Sequence, residues 1–209
     1  RYGKGSPFID FRLPCGSGLD ILIDPAPQIE RLSACVADLG ARRTSSLPLA
    51  VPDAADRHLL RMRRYIPRLR LLVLGTGAEC EALQRLAEAA GVAFEWRAAG
   101  RQFALNTVPA GISADPWTAV LLLFHDHEWE HALLAWTLRT PAFYIGCQGG
   151  AQARARRLEL LRADGLDDIA LARVNSPVGL VPRARSPEVL ALSILSEVVG
   201  AYEALHPHP

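Results

Sequence analysis

From residue 69 onward, short and strongly apolar runs alternate with helix-length amphipathic segments, and this alternation constrains the chain more than any other feature. Such a pattern builds a parallel sheet covered on both faces, because doubly buried strands read as near-continuous hydrophobic runs and each return to the same edge needs a crossover. Strands are predicted at residues 69–74, 92–97, 119–124 and 142–145, with helices at 78–90, 128–139 and 152–162 and a short extra strand near 103–107. The tail reads as a loop, Asn175-Ser176-Pro177-Val178-Gly179-Leu180. Ser186-Pro187-Glu188 then supplies an N-cap, a first-position proline and a first-turn acid for a helix reaching about Leu205.

The first part of the chain has a different rhythm. Residues 8–13 alternate in period two, residues 19–23 follow a Cys-Gly-Ser-Gly turn, and Pro25 and Pro27 open a helix over 28–39 that ends at Gly40. Residues 47–51 read as another short strand, and 52–67, with Arg57, Arg61, Arg63 and Arg64, as a linker whose basic run is a solvated helix face, with phosphate contact as the minority reading. The expected organisation is therefore an α/β protein. A small N-terminal α+β module and linker occupy residues 1–66, and a parallel-sheet domain with a C-terminal helix occupies 67–209. The opening at Arg1, with Gly3, Gly5 and Pro7 already turn-like, reads as the continuation of an upstream segment, so the module is expected to be incomplete.

Charge and composition narrow the partners. Twenty-three basic residues against 22 acidic ones leave a net charge of +1, which gives no electrostatic reason to bind nucleic acid. The apolar runs at 71–74 and 119–124 are far shorter than the ~20 residues of a membrane helix. Four scattered cysteines, Cys15, Cys35, Cys80 and Cys147, without a C-x-x-C pair, fit free thiols in a reducing cytoplasm.

The chemistry-bearing residues gather after the strands. Gly75-Thr76-Gly77 follows the first apolar run and opens a helix, where bare backbone and helix N–H groups can approach a phosphate. This is the turn of a Rossmann-type domain. Cys80 stands where a third glycine is usual, and Glu95, twenty residues after Gly75, is placed to bind a ribose, with Arg97 as a phosphate-binding alternative. A nucleotide-like or phosphate-bearing ligand and a ligand-free scaffold both remain open.

In the strand order 3-2-1-4-5, His125-Asp126 ends the strand beside the first one, across the topological switch point. Gly146-Cys147-Gln148-Gly149-Gly150 ends the next strand, so three loops are expected on one carboxyl edge. For His125 the competing reading is a strand-ending polar residue, and for Cys147 a small buried hydrophobe. His127-Glu128-Trp129-Glu130-His131 spells H-E-x-x-H, but its position just after a parallel strand favours a chance match, and no metal site is assigned. Cys15, between Pro14 and Gly16, is either an accessible thiol beside backbone donors or a plain turn residue, whereas Cys35 shares a helical face with Leu32 and Leu39.

Several separated segments together resemble the xanthine dehydrogenase accessory protein family (XdhC/CoxI-like). They are Arg1-Tyr2-Gly3-Lys4-Gly5-Ser6-Pro7 with Leu13-Pro14-Cys15-Gly16, the turn at Gly75, His125-Asp126, Phe143-Tyr144-Ile145-Gly146, Ser176-Pro177-Val178-Gly179-Leu180, and the segment from Ser186 to Ile194. The resemblance implies a cytoplasmic protein that binds molybdenum cofactor (molybdopterin), works with the sulfuration machinery and delivers the cofactor to a molybdenum hydroxylase such as xanthine dehydrogenase. It implies no catalytic residues. Gly75, Thr76 and Gly77 would admit the cofactor phosphate, and His125 and Asp126 would hydrogen-bond the pterin or order the crevice. Cys15 beside Gly16, or Cys147 beside Gly146, would touch the metal or its sulfur. An NAD(P)-dependent oxidoreductase, a nucleotide-free docking module and a homodimer are the alternatives kept open. Where the family usually has Gly-Ser followed by basic residues, this chain has Gly149-Gly150-Ala151-Gln152.

Overall fold

The structure is a computed structural model, and it describes residues 2–4, 6, 14, 18–19, 21–51 and 59–206. Its chain divides into two compact units, Arg1–Ile66 with Pro207–Pro209, and Pro67–His206.

In the first unit, β1 (Tyr2–Gly3) pairs antiparallel with β2 (Gly18–Leu19). Helix α1 (Ile29–Gly40) follows, with Cys35 on its buried face, as its spacing from Leu32 and Leu39 implied. Strands β3 (Ser45–Pro48) and β4 (Met62–Tyr65) pair antiparallel, Leu47 opposite Arg63. The predicted strand at 8–13, together with Cys15, Gly16 and Arg57, lies outside the described residues. Strand β4 corrects one reading, because Arg63 and Arg64 sit on a strand and not on a helix face. Met62, Arg63 and Arg64 are all exposed, so no alternation of apolar residues announces the strand. Arg63 instead stacks on its period-two neighbour Tyr65, 5.6 Å from the ring centroid.

The second unit runs β5 (Arg70–Gly75), α2 (Ala78–Ala89), β6 (Ala93–Ala98), β7 (Thr118–Leu123), a 3-10 turn (His127–Trp129), α3 (Glu130–Leu138), β8 (Tyr144–Cys147), α4 (Ala151–Ala163), α5 (Asp168–Ala172), β9 (Val174–Asn175) and α6 (Pro187–Glu203). Its five strands are all parallel, in the order β6-β5-β7-β8-β9. Leu71, Leu72, Val73 and Leu74, with Ala119, Val120, Leu121, Leu122 and Leu123, are fully buried. Burial on both faces is why these strands carry no polar alternation. One face packs Leu72, Leu74, Val120, Leu122 and Ile145 against Leu133, Leu134, Leu158 and Leu161 of α3 and α4. The alternate residues face the other side, where α2 and α6 pack together.

Helix α6 starts as its sequence requires: Ser186 Oγ accepts from Val189 N at 3.3 Å, with Pro187 in the first turn. Its far end is tied back by Tyr202, whose hydroxyl donates to Pro67 O at 2.7 Å. Two expectations are corrected. The extra strand near 103–107 reduces to a single bridge between Ala99 and Phe103, and the loop expected from Asn175 begins as β9. Two-residue pairing is too short to leave a periodic signal. The adjacency that matters survives, since β7 lies directly beside β5 while β6 lies on its other side, and this makes the switch point. No helix among the described residues is long and apolar enough to cross a membrane.

Candidate functional site

Parallel pairing brings the carboxyl ends of β5, β7 and β8 to one edge, with Gly75 in register with Leu123, and Leu122 with Cys147. The two glycines of the first turn have different jobs. A Cβ on Gly75 would lie 2.2 Å from Leu123 O, so glycine is required here for β5 and β7 to approach. Thr76 N continues the ladder to Leu123 O at 3.3 Å. Gly77 has φ +106° and caps α2, a backbone conformation that favours glycine.

Glu79 then folds back over the turn. One carboxylate oxygen lies 2.9 Å from where a Gly77 Cβ would stand, and the other lies 3.2 Å from His125 Nε2. Glu79 and Glu81 both occupy the first turn of α2, so the helix end that would attract an anion already faces internal carboxylates. Cys80, in the third-glycine position, is buried, and burial, then Glu79 and Glu81, push its thiol up to about 12. Glu95 is not at the edge. It sits three residues before the end of β6, in register with Leu72, with its carboxylate 2.8 Å from Arg97 and 3.9 Å from Arg70.

Thr76, His125 and Asp126 do come together. With Ala99, Phe124 and Trp129 they line a cavity of about 260 Å³ at the switch point. Trp129 stacks on Phe124 at 6.4 Å and 4°, and Phe103 meets it edge-on at 5.9 Å, which gives the cavity a rigid aromatic wall. The His125 side chain is 72% exposed, free to meet a ligand on the face away from Glu79. Asp126 accepts from Glu128 N at 3.1 Å and caps the 3-10 turn. That turn breaks the helical register of H-E-x-x-H. His127 faces Glu130 at 3.1 Å, while His131 faces Asp164 at 2.7 Å.

The second glycine segment is also divided in role. A Cβ on Gly146 would meet Val178, Leu121 and Tyr144 at 2.7, 2.8 and 2.9 Å, so Gly146 is a packing residue inside β8. Cys147 is fully buried in the core against α3 and α4, and burial chiefly drives its thiol up to about 12. Its burial matches the small buried hydrophobe that was the competing reading of this residue. In native protein at about pH 8, iodoacetamide should therefore leave Cys80 and Cys147 unmodified, since only the thiolate reacts. Peptide mapping that finds Cys147 alkylated before unfolding would favour an accessible, ligand-facing thiol over a buried hydrophobe.

The turn itself is at 148–150, where Gly149 has φ +115° and lies under the His127 ring, with Cε1 2.9 Å from a would-be Cβ. Gly149, Gly150, Pro177, Gly179, Leu180 and Arg183 border a cavity of about 700 Å³. Helix α6 holds the far wall: Ser193 Oγ accepts from Val181 N at 2.6 Å, and the Glu197 carboxylate accepts from Gly179 N. The first turn of α4 carries no acid.

Sequence reasoning missed Glu130 and Arg157, both charged and both buried. Arg157 Nε donates to Glu130 at 2.7 Å, one terminal nitrogen to Ser176 Oγ at 2.8 Å and the other to Gln148 O at 2.8 Å. Burial raises the Glu130 carboxyl, and Arg157 and then His127 pull it back. The available signal was register: Glu130 precedes Leu133 and Leu134 by three and four residues, and Arg157 precedes Leu161 by four, so both charges share apolar faces.

The sequence matches the XdhC Rossmann domain over residues 71–198. It is 30% identical over 212 residues to the molybdenum cofactor insertion chaperone PaoD of Escherichia coli K12, a match covering 96% of this chain. The chain spans 64% of the length of that relative. A solved structure described as a xanthine dehydrogenase from Bacillus halodurans superposes with a TM-score of 0.55, covering 73% of this chain and 48% of that one at 22% identity, a likeness of fold alone.

Proposed function

Because the chain belongs to the XdhC family, whose Rossmann domain it carries, we propose that it binds molybdenum cofactor and inserts it into a molybdenum hydroxylase of the xanthine dehydrogenase kind. The observation that carries this reading is the match of 96% of the chain to a cofactor insertion chaperone. The protein would act in the cytoplasm, holding the cofactor while the sulfuration machinery works on it, with the cofactor as cargo and no metabolite turned over.

The carboxyl edge suits such cargo. A flat pterin with donors and acceptors along its rim matches an aromatic wall of Phe124 and Trp129 beside the polar atoms of Thr76, His125 and Asp126. A phosphate is opposed at Gly77 by Glu79, and the turn at Gly149 and Gly150, with no first-turn acid and Arg183 across the cavity, is its better partner. Cys15 and Gly16 are proposed to face the metal or its sulfur, where a soft thiolate suits molybdenum. NAD(P) is the competing ligand, and both acids that would bear on it speak against it: Glu79 meets the pyrophosphate position, and Glu95 is spent on Arg97 and Arg70.

The test is to purify the protein from cells that make the cofactor and to measure bound pterin by fluorescence after oxidation. Wild type and Cys35→Ala should carry pterin, Cys15→Ser should lose most of it, and NADH should give no thermal shift. A pterin-free wild type that NADH stabilises would replace this reading with the oxidoreductase one.

A further inference from the structure

Three strand ends on the carboxyl edge converge on one buried side chain. Arg157, on α4, is 5% exposed and its counterion Glu130 2% exposed. The guanidinium reaches Glu130 after β7, Gln148 O after β8 and Ser176 after β9. Its Nη2 also lies 3.5 Å from Nδ1 of His127, whose ring covers Gly149. Glu130 and His127 are themselves joined at 3.1 Å, so the contacts close on one another.

Energetics say why this is more than packing. Desolvating two charges cancels most of what their attraction returns, so a buried ion pair adds little net stability over apolar residues of the same size. What it adds is direction. A guanidinium offers five donors in a rigid plane, and here three of its bonds go to groups far apart in sequence. An ammonium at the same place is a point charge that cannot span all three.

We propose that Arg157 is a positioning residue that locks the segments after β7, β8 and β9 into one preformed rim, holding the Gly149 turn and the Ser176 loop in place for the cargo. The part concerning cargo rests on the reading that this edge receives the cofactor; the lock itself does not. Preorganising three loops before binding removes their ordering cost from the binding step.

Amide hydrogen exchange on the full chain tests the lock without any ligand. In the paired variant Glu130→Leu/Arg157→Met, which leaves no lone buried charge, exchange at 148–150 and 176–179 should rise at least about tenfold while β5 and β7 keep wild-type protection. Arg157→Lys should fail to restore protection of both loops. Ser176→Ala, which removes one arm only, should loosen 176–179 and spare 148–150, and it keeps the test available if the paired variant does not fold. Wild-type exchange in both loops, or an equal rise throughout the unit, would overturn the proposal. Bound pterin measured on the same variants separates the two ideas. A wild type without pterin sinks the cofactor reading and leaves the lock to the exchange data, while full pterin retention in a variant with loosened loops sinks the positioning role.

Discussion

Glu130→Ala should destabilise the Pro67–His206 unit by about 3–5 kcal/mol, because it strands the Arg157 guanidinium in the core without its counterion. For a unit of this size that corresponds to a melting temperature lower by roughly 10 °C or more. Glu130→Gln keeps an acceptor for Arg157 Nε but not the charge, and should fall between wild type and alanine. The paired apolar variant should melt close to wild type, since it removes both charges together. Thermal unfolding of the four proteins settles the order, and a paired variant as unstable as Glu130→Ala would mean that the pair itself holds the fold.

Gly75→Ala is the second large effect. Its Cβ would stand 2.2 Å from Leu123 O and 2.9 Å from Leu123 C, which are backbone atoms of a central strand held between β5 and β8. A flexible side chain could swing away, but this strand cannot, so a cost above about 3 kcal/mol is expected, beyond the usual overpacking range. Gly200→Ala provides the contrast. Gly200 lies within α6 with nothing within 4 Å of a new Cβ, so alanine there should stabilise by roughly 0.5–1 kcal/mol. Urea midpoints that move the same way for both glycines would refute the assignment of Gly75 to strand approach.

The glycines of the first turn show where sequence reading stops. Gly75-Thr76-Gly77 identifies a strand-to-helix turn, and the turn is there, with Gly77 at φ +106°. Nothing local separates a glycine that clears room for a ligand from one that clears room for the next strand. That depends on Leu123, forty-eight residues away. Glu79 has the same ambiguity. Its place in the first turn of α2 is legible, but its closure onto His125 exists only because β7 lies beside β5. Glu95 has the spacing of a ribose acid, yet β6 continues to Ala98 and leaves it short of the edge.

By itself the sequence determined the α/β class, the central strands, most helices, the cap of α6 and the family, through signals carried within a few consecutive residues: apolar runs, helical period, turn chemistry and ordered motif segments. Tertiary structure alone decided which side of β8 receives the Cys147 sulfur, that Gly146 packs under Val178, and that Arg63 and Arg64 stand on a strand. It also decided that Glu130 and Arg157, twenty-seven residues apart, share one buried site. The physical reason is that hydrophobic periodicity specifies which face of an element is covered, whereas hydrogen bonds, ion pairs and close backbone approaches depend on which neighbour does the covering.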